Sequence, residues 1–212
     1  MPKPLSDLRE ALEQERRTAI FLHGKPKPAK WNDPELAPSS VLNFIPRASK
    51  QLLLEGWDVW APNVRDAHMG FEDEFMRPLN VLRPVMGRRC VGVGHSLGAV
   101  IWLKWLSGNP DVELDQLHLV NPWGDPDNRH LPFGYGIESI DPSVADRIGR
   151  IVLYYSSDDE NPEVDKTIEI ISSIVTMDKR DCLGYGHFII GNTMAGPDFP
   201  ELIEEIFSHS PQ

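Results

Sequence analysis

The sequence predicts an α/β protein, a three-layer α/β/α sandwich in which helices cover both faces of a mostly parallel, roughly six-stranded sheet. Short apolar runs rich in β-branched residues alternate along the chain with longer segments whose apolar residues recur at helical spacing. Such alternation requires crossover connections, which produce parallel strands with helices on both faces. The 212 residues are enough for one domain with a full core, and we expect a single domain over 1–212.

Six segments carry the strand pattern, and the first five of them are mostly apolar, as is typical of buried parallel strands. They are 18–22, 57–61, 90–93, 117–120, 151–155 and 175–183. The last is more polar than the others, which predicts a position near an edge of the sheet.

Helical spacing indicates a helix between each pair of strands and another at each end of the chain. The helices are expected at 42–55, 71–86, 99–106, 142–148, 162–174 and 200–207, with an extra N-terminal helix at 5–17. Pro46 should break or restart its helix and Pro78 should kink its own. The connection 121–141 offers little material for a cap, so we expect a minimal cap or none.

Composition and charge narrow the function classes. The net charge of −11 disfavours nucleic acid or an anionic membrane as the main partner. The sequence contains no apolar run of about 18 residues and no secretory signal at its start, so we expect a cytoplasmic protein. Cys90 and Cys182 both fall in predicted strands and are expected to be free core thiols.

The segment 88–107 contains the pattern on which the functional prediction rests. The apolar strand 90–93 is followed by Gly-His-Ser-Leu-Gly at 94–98 and then by the helix. A G-x-S-x-G turn between strand and helix lifts its serine above the carboxyl end of the sheet, where the helix N-terminus adds positive potential. Ser96 is therefore the predicted nucleophile.

A serine nucleophile needs a general base and an acid that orients it, and in this architecture both follow later in the chain, after strands. Strand 151–155 leads into the acidic turn 156–162, where either Asp158 or Asp159 could reach the site. We prefer Asp159, and the other carboxylate would cap a helix or close the turn. His187 lies in a glycine-flexed loop after the sixth strand and is the predicted base.

Two backbone N–H groups should stabilise the oxyanion of the reaction. One is that of Leu97, and the other comes from Gly24 or Lys25 in the loop after the first strand. The walls of the site are predicted from aromatic residues of the neighbouring loops, namely Trp31, Trp123, Phe133 and Tyr135. The ligand spacing of zinc or calcium sites is missing, so neither a metal nor a cofactor is expected.

Three further histidines are given structural roles. His95 neighbours the nucleophile, but its side chain should point away from that of Ser96. His118 lies inside a strand and should be a core residue with satisfied hydrogen bonds, and His209 should face solvent.

Three motifs together resemble the α/β-hydrolase superfamily, most closely its small serine hydrolases named after retinoblastoma-binding protein nine, with YdeN-like bacterial members. They are GHSLG at 94–98, SSDDENP at 156–162 and GYGHF at 184–188. The resemblance implies Ser96 as nucleophile, His187 as base and the second aspartate of the pair, Asp159, as acid. The loop after the first strand is longer and poorer in glycine than the family's.

These observations predict an intracellular serine hydrolase that forms an acyl-enzyme from a small acyl substrate, most readily a carboxylic ester. Thioesters and peptides stay open because the same triad serves them. The alternative is a hydrolase-like module that binds a protein partner, suggested by the acidic composition and the unusual KPKPAK loop at 25–30.

Overall fold

The computed structural model describes residues 17–24, 43–62, 72–86, 89–124, 127, 137–189 and 198–209. Within these ranges lie six strands: β1 (Thr18–Leu22), β2 (Asp58–Trp60), β3 (Cys90–His95), β4 (Leu114–Val120), β5 (Ile148–Tyr155) and β6 (Asp178–Asp181). The same ranges hold five α-helices: α1 (Ile45–Leu54), α2 (Glu72–Leu82), α3 (Leu97–Gly108), α4 (Pro162–Ile174) and α5 (Pro200–His209). Short 3₁₀ helices span Arg83–Val85, Ile137–Ser139 and Pro142–Arg147.

The strands form one sheet in the order β2-β1-β3-β4-β5-β6, and every neighbouring pair is parallel. This confirms the predicted six-stranded parallel sheet. Because parallel strands all end at the same edge, the loops that follow β3, β4, β5 and β6 meet at the carboxyl edge.

Alternation along the strands divides the core into two layers. In β1, Ala19 and Phe21 belong to the cluster that packs under α1 and α5, whereas Ile20 and Leu22 belong to the cluster under α2, α3 and α4. Side chains of a strand point alternately to opposite faces, so one short apolar run supplies both cores. The three-layer α/β/α arrangement is therefore confirmed.

Several predicted bounds change in the structure. Pro46 lies in the first turn of α1 instead of breaking it, because proline has no N–H to lose there. The sixth strand shortens to Asp178–Asp181, which is exposed throughout and forms the edge of the sheet. The helix predicted at 142–148 is a 3₁₀ helix over Pro142–Arg147, with Ile148 already in β5, and the predicted helix 5–17 lies outside the described residues except for Arg17.

Other features of the described residues agree with the sequence. Cys90 and Cys182 are both free and buried. The described part of the connection between β4 and β5 contains two 3₁₀ helices and no large cap. Within the described ranges, every helix is too short or too polar to span a membrane.

Helix α3 approaches the sheet so closely that two positions, one in β3 and one in α3, have no room for a side chain. A Cβ atom on Gly98 would lie 2.4 Å from the carbonyl oxygen of Leu22, and one on Gly94 would lie 2.5 Å from Ala99 Cα. Both obstacles are backbone atoms, which cannot move aside as a flexible side chain can. Glycine at 94 and 98 is therefore required by packing.

A buried polar row crosses the opposite face of the sheet. His118 is fully buried, with Nε2 3.0 Å from Gln116 Oε1 and Nδ1 3.2 Å from Tyr154 Oη. Gln116 Nε2 donates to the carbonyl of Ile206 in α5 at 3.1 Å, which ties helix to sheet. Burial lowers the pKa of His118 to about 3, so the ring is neutral in the folded protein. His118 is a satisfied core histidine, as expected.

We predict that Gly98→Ala destabilises the protein, whereas Gly108→Ala near the end of the same helix does not. The first adds a Cβ against backbone and should lower the free energy of unfolding by about 2 kcal/mol or more. The second adds a Cβ into open space and should leave stability equal or slightly raised. Thermal and urea unfolding measure both, and equal stability of the two variants would contradict the packing argument.

We predict that His118 makes the protein acid-sensitive. The unfolded chain takes up a proton at His118 below about pH 6.5, but the folded chain does not until about pH 3, so stability falls as pH drops through this window. Between pH 6 and 4, wild type should lose about 1 kcal/mol per pH unit more than His118→Asn. Urea unfolding at a series of pH values tests this; above pH 7.5 the difference should be constant, and parallel curves throughout would refute it.

Candidate active site

Ser96 occupies the sharp turn between β3 and α3. Its backbone has φ 54° and ψ −121°, a conformation that L-residues rarely adopt and that costs free energy. The turn is held because the Ser96 N–H donates to the carbonyl of Val120 in β4 at 2.8 Å. As a result, the Ser96 side chain stands at the carboxyl edge of the sheet with 5% of the residue exposed.

Three side chains from three different loops meet at this edge. His187 Nε2 lies 3.1 Å from Ser96 Oγ, and His187 Nδ1 lies 2.7 Å from Asp159 Oδ2. The ionised carboxylate can only accept, so it fixes the proton of a neutral imidazole on Nδ1 and leaves Nε2 to accept from the hydroxyl. The row from hydroxyl to imidazole to carboxylate is therefore continuous.

The environment of Asp159 keeps it ionised. Burial disfavours the charged form, but hydrogen bonds from His187, from the Asn161 N–H at 3.1 Å and from Asn121, together with the charge of His187, outweigh it. The net effect is that the pKa of Asp159 lies below its ordinary value. The side chain is 10% exposed and that of His187 is 20% exposed, so little water reaches their hydrogen bond.

Asp158, the other member of the pair, contacts the histidine loop through its backbone. Its Oδ1 accepts from the N–H groups of Gly184 at 3.3 Å and Gly186 at 3.2 Å, and from the hydroxyl of Ser156. The two glycines have φ of +93° and +50°, which presents both N–H groups to one oxygen. Asp158 therefore joins the acid loop to the loop that carries His187.

An aromatic cluster holds the other side of the histidine loop. Phe188 has φ 55° and stacks on Tyr185, with ring centroids 5.0 Å apart. Its ring also packs against Phe199 at 5.0 Å and Phe44 at 6.4 Å. Burying these rings offsets the strained backbone directly after His187.

His95 anchors the same loop from the nucleophile side. Its Nε2 lies 2.9 Å from the carbonyl oxygen of His187, so Nε2 carries the proton and donates it there. Asn43 Nδ2 lies 3.4 Å from His95 Nδ1, which is then the acceptor. Burial first, and the neighbouring charge of His187 second, lower the pKa of His95 to about 3.

Two of the three predicted oxyanion donors lie among the described residues. Leu97 is the first residue of α3, so its N–H has no carbonyl one turn earlier to which it could donate. Gly24 lies against Ser96, since a Cβ placed on it would be 2.7 Å from Ser96 Cβ and 3.2 Å from Ser96 Oγ. Lys25 lies outside the described residues.

Of the four residues predicted to form the walls of the site, the structure describes Trp123. Trp123 belongs to the core cluster with 7% of its surface exposed, and its indole N–H donates to Glu163 Oε2 at 2.7 Å. The carboxylate at the start of α4 therefore gives the indole N–H its partner, and the role of Trp123 as a wall of the site stays a prediction. Trp31, Phe133 and Tyr135 lie outside the described residues.

Sequence reasoning missed Asn121, which follows β4 and donates through Nδ2 to Asp159 Oδ2. The signal was available, because a polar residue directly after a central parallel strand stands at the same edge as Ser96. Across the described residues, His, Cys, Asp and Glu side chains form no group of three that could hold a metal ion.

Comparisons with known proteins identify the fold. The sequence matches no family model and no curated protein. The structure is similar to the ydeN gene product of B. subtilis, with a TM-score of 0.69 and 17% identity over 91% of this chain and 98% of that one. The chain has the α/β-hydrolase fold.

Two further solved structures share this α/β-hydrolase fold. Est1E from Butyrivibrio proteoclasticus with bound ferulic acid has a TM-score of 0.62 and 11% identity over 92% of this chain and 90% of that one. Naproxen esterase from Bacillus subtilis has a TM-score of 0.57 and 10% identity over 92% and 84%. At these identities the similarity describes the fold, and the chemistry has to be argued from the site.

We predict that Asp158→Ala loosens the histidine loop. The N–H groups of Gly184 and Gly186 would lose their charged acceptor and should exchange with solvent about ten-fold faster or more. Asp158→Asn is the matched variant, because its side-chain oxygen still accepts, and it should exchange at an intermediate rate. Hydrogen exchange measured by NMR gives all three rates, and unchanged rates in Asp158→Ala would contradict the tether.

Proposed function

We propose that this chain is a serine hydrolase that cleaves an acyl bond, most readily a carboxylic ester, through an acyl-enzyme on Ser96. The observation that carries the proposal is the continuous row in which His187 Nε2 lies 3.1 Å from Ser96 Oγ and Nδ1 lies 2.7 Å from Asp159 Oδ2. A scaffold protein has no physical need for a hydroxyl, an imidazole and a carboxylate in that order.

Acylation begins when Ser96 Oγ attacks the carbonyl carbon of the substrate and its proton passes to His187 Nε2. The carbonyl oxygen becomes an oxyanion, which the N–H of Leu97 and that of Gly24 or Lys25 stabilise. Asp159 Oδ2 stabilises the imidazolium without taking its proton. His187 then gives the proton to the leaving alcohol as the acyl–oxygen bond breaks.

Deacylation repeats the sequence with water as nucleophile. His187 removes a proton from water, the hydroxide attacks the acyl carbon, and the proton returns to Ser96 Oγ as its bond to the acyl group breaks. The products are a carboxylic acid and an alcohol, and atoms and charge balance without a cofactor.

Ester substrates are favoured over amides by the chemistry of the leaving group and by the solved structures that share the fold. An alcohol leaves more readily than an amine, so less help is needed from the protonated His187. The name of naproxen esterase supports an ester too, and the structure of Est1E with bound ferulic acid supports a small carboxylic acid product. Thioesters are open to the same steps.

We predict that a fluorophosphonate probe labels wild type and leaves Ser96→Ala unlabelled, because the probe reacts only with an activated serine. Ser173→Ala removes an exposed hydroxyl in α4 and should be labelled like wild type. Hydrolysis of p-nitrophenyl acetate should fall by about 10³-fold or more in Ser96→Ala and His187→Ala, and comparably in Asp159→Asn.

Circular dichroism and thermal unfolding should show that these variants stay folded, so that a loss of rate reports chemistry. Labelling that persists in Ser96→Ala, or equal turnover by wild type and His187→Ala, would overturn the proposal.

A further inference from the structure

Asn121 stands between the strands that lead to the nucleophile and the acid. It directly follows β4, which pairs with β3 on one side and β5 on the other. The residue is fully buried and has φ 45°. Its N–H donates to the carbonyl of Tyr154 at 2.7 Å, so this left-handed residue stays attached to the sheet. Asparagine accepts such a backbone at little cost.

The hydrogen bonds of the side-chain amide fix which end of it faces the site. The Ser156 N–H donates to Asn121 Oδ1 at 3.3 Å, so Oδ1 is the acceptor. The other end, Nδ2, is then the donor, and it faces Asp159 Oδ2. It also lies 3.4 Å from the carbonyl oxygen of Gly186.

Two donors therefore converge on one carboxylate oxygen. Asp159 Oδ2 accepts from His187 Nδ1 at 2.7 Å and from Asn121 Nδ2, and the two nitrogens lie 3.1 Å apart. The other oxygen of Asp159 accepts from the Asn161 N–H at 3.1 Å. With both oxygens engaged, the carboxylate cannot rotate away from the imidazole without breaking a bond to Asn121 or Asn161.

We propose that Asn121 is a positioning residue of the triad, which holds Asp159 Oδ2 opposite His187 Nδ1 through its side-chain amide. The effect on rate rests on the function proposed above, whereas the effect on the His187 ring does not. The proposed action of Asn121 is to hold the Asp159 carboxylate and the His187 ring against each other.

A purely structural role makes a different prediction. If Asn121 served only as a left-handed turn residue, glycine would replace it without loss, because glycine favours the same backbone. Asn121→Gly keeps the turn and removes the amide. We expect kcat to fall about ten-fold to a hundred-fold, as small displacements of catalytic groups do, with KM within about two-fold of wild type.

Asn121→Asp supplies the second, independent readout. It keeps the size of the side chain and the acceptor for Ser156, but puts a carboxylate where the donor stood. A second negative charge beside the imidazole favours its protonated form. The acid limb of kcat/KM and the NMR titration midpoint of the His187 ring should both move up by about one pH unit. His95 faces the same ring, with centroids 5.4 Å apart, but it is present in every variant.

The NMR titration uses histidine-labelled protein without substrate, with His187→Gln to assign the signal among the seven histidines. An upward shift in Asn121→Asp supports the positioning role even if no ester is hydrolysed. A wild-type kcat in Asn121→Gly together with an unmoved His187 midpoint in Asn121→Asp would overturn it. Should Asn121→Gly unfold, the Asn121→Asp midpoint alone decides.

Discussion

The whole site depends on the reversal of the backbone at Ser96. A strand must become a helix within one residue, and that residue must keep a hydroxyl side chain, so glycine cannot relieve the left-handed φ of 54°. Contacts close to Ser96 offset the free-energy cost of this strained backbone. The Ser96 N–H is bound to Val120, and Gly94 and Gly98 let helix and strand approach to backbone contact. The strain is stored where function needs the side chain lifted above the sheet.

The partners of Ser96 come from loops distant in sequence, so their positions have to be fixed one against another. His187 is held at its side chain by Asp159 and at its carbonyl by His95. Asp158 accepts from the backbone N–H groups three residues and one residue before it, and the aromatic cluster packs around Phe188 directly after it. Restraint from four directions leaves the imidazole little freedom, and in the proposed reaction this would avoid an entropy cost of ordering the ring.

The sheet, the order of its elements and the three side chains that meet at its edge can be predicted from local sequence patterns. Apolar runs mark the strands, and the loops directly after the strands carry the three polar residues. The features that the sequence did not predict depend on the direction in which single side chains point. Asp158 and Asp159 are chemically identical neighbours, and only the partners on each side separate them. Asn121 obeys the same strand-end rule as Asp159, but its direction depends on the sign of φ. Trp123 packs inward because Glu163, far along the chain, accepts its indole N–H.

The two histidines near Ser96, His95 and His187, face opposite requirements in the proposed reaction. In the proposed reaction His187 has to carry a positive charge, and a second cation at His95, whose ring centroid is 5.4 Å away, would oppose it. Burial prevents this, since it lowers the pKa of His95 to about 3 and keeps that ring neutral. A neutral imidazole still has one N–H, which His95 donates to the His187 carbonyl. His95 can therefore hold the loop of His187, the proposed base, without competing for its proton, because protonation of His95 would require a charge in the core.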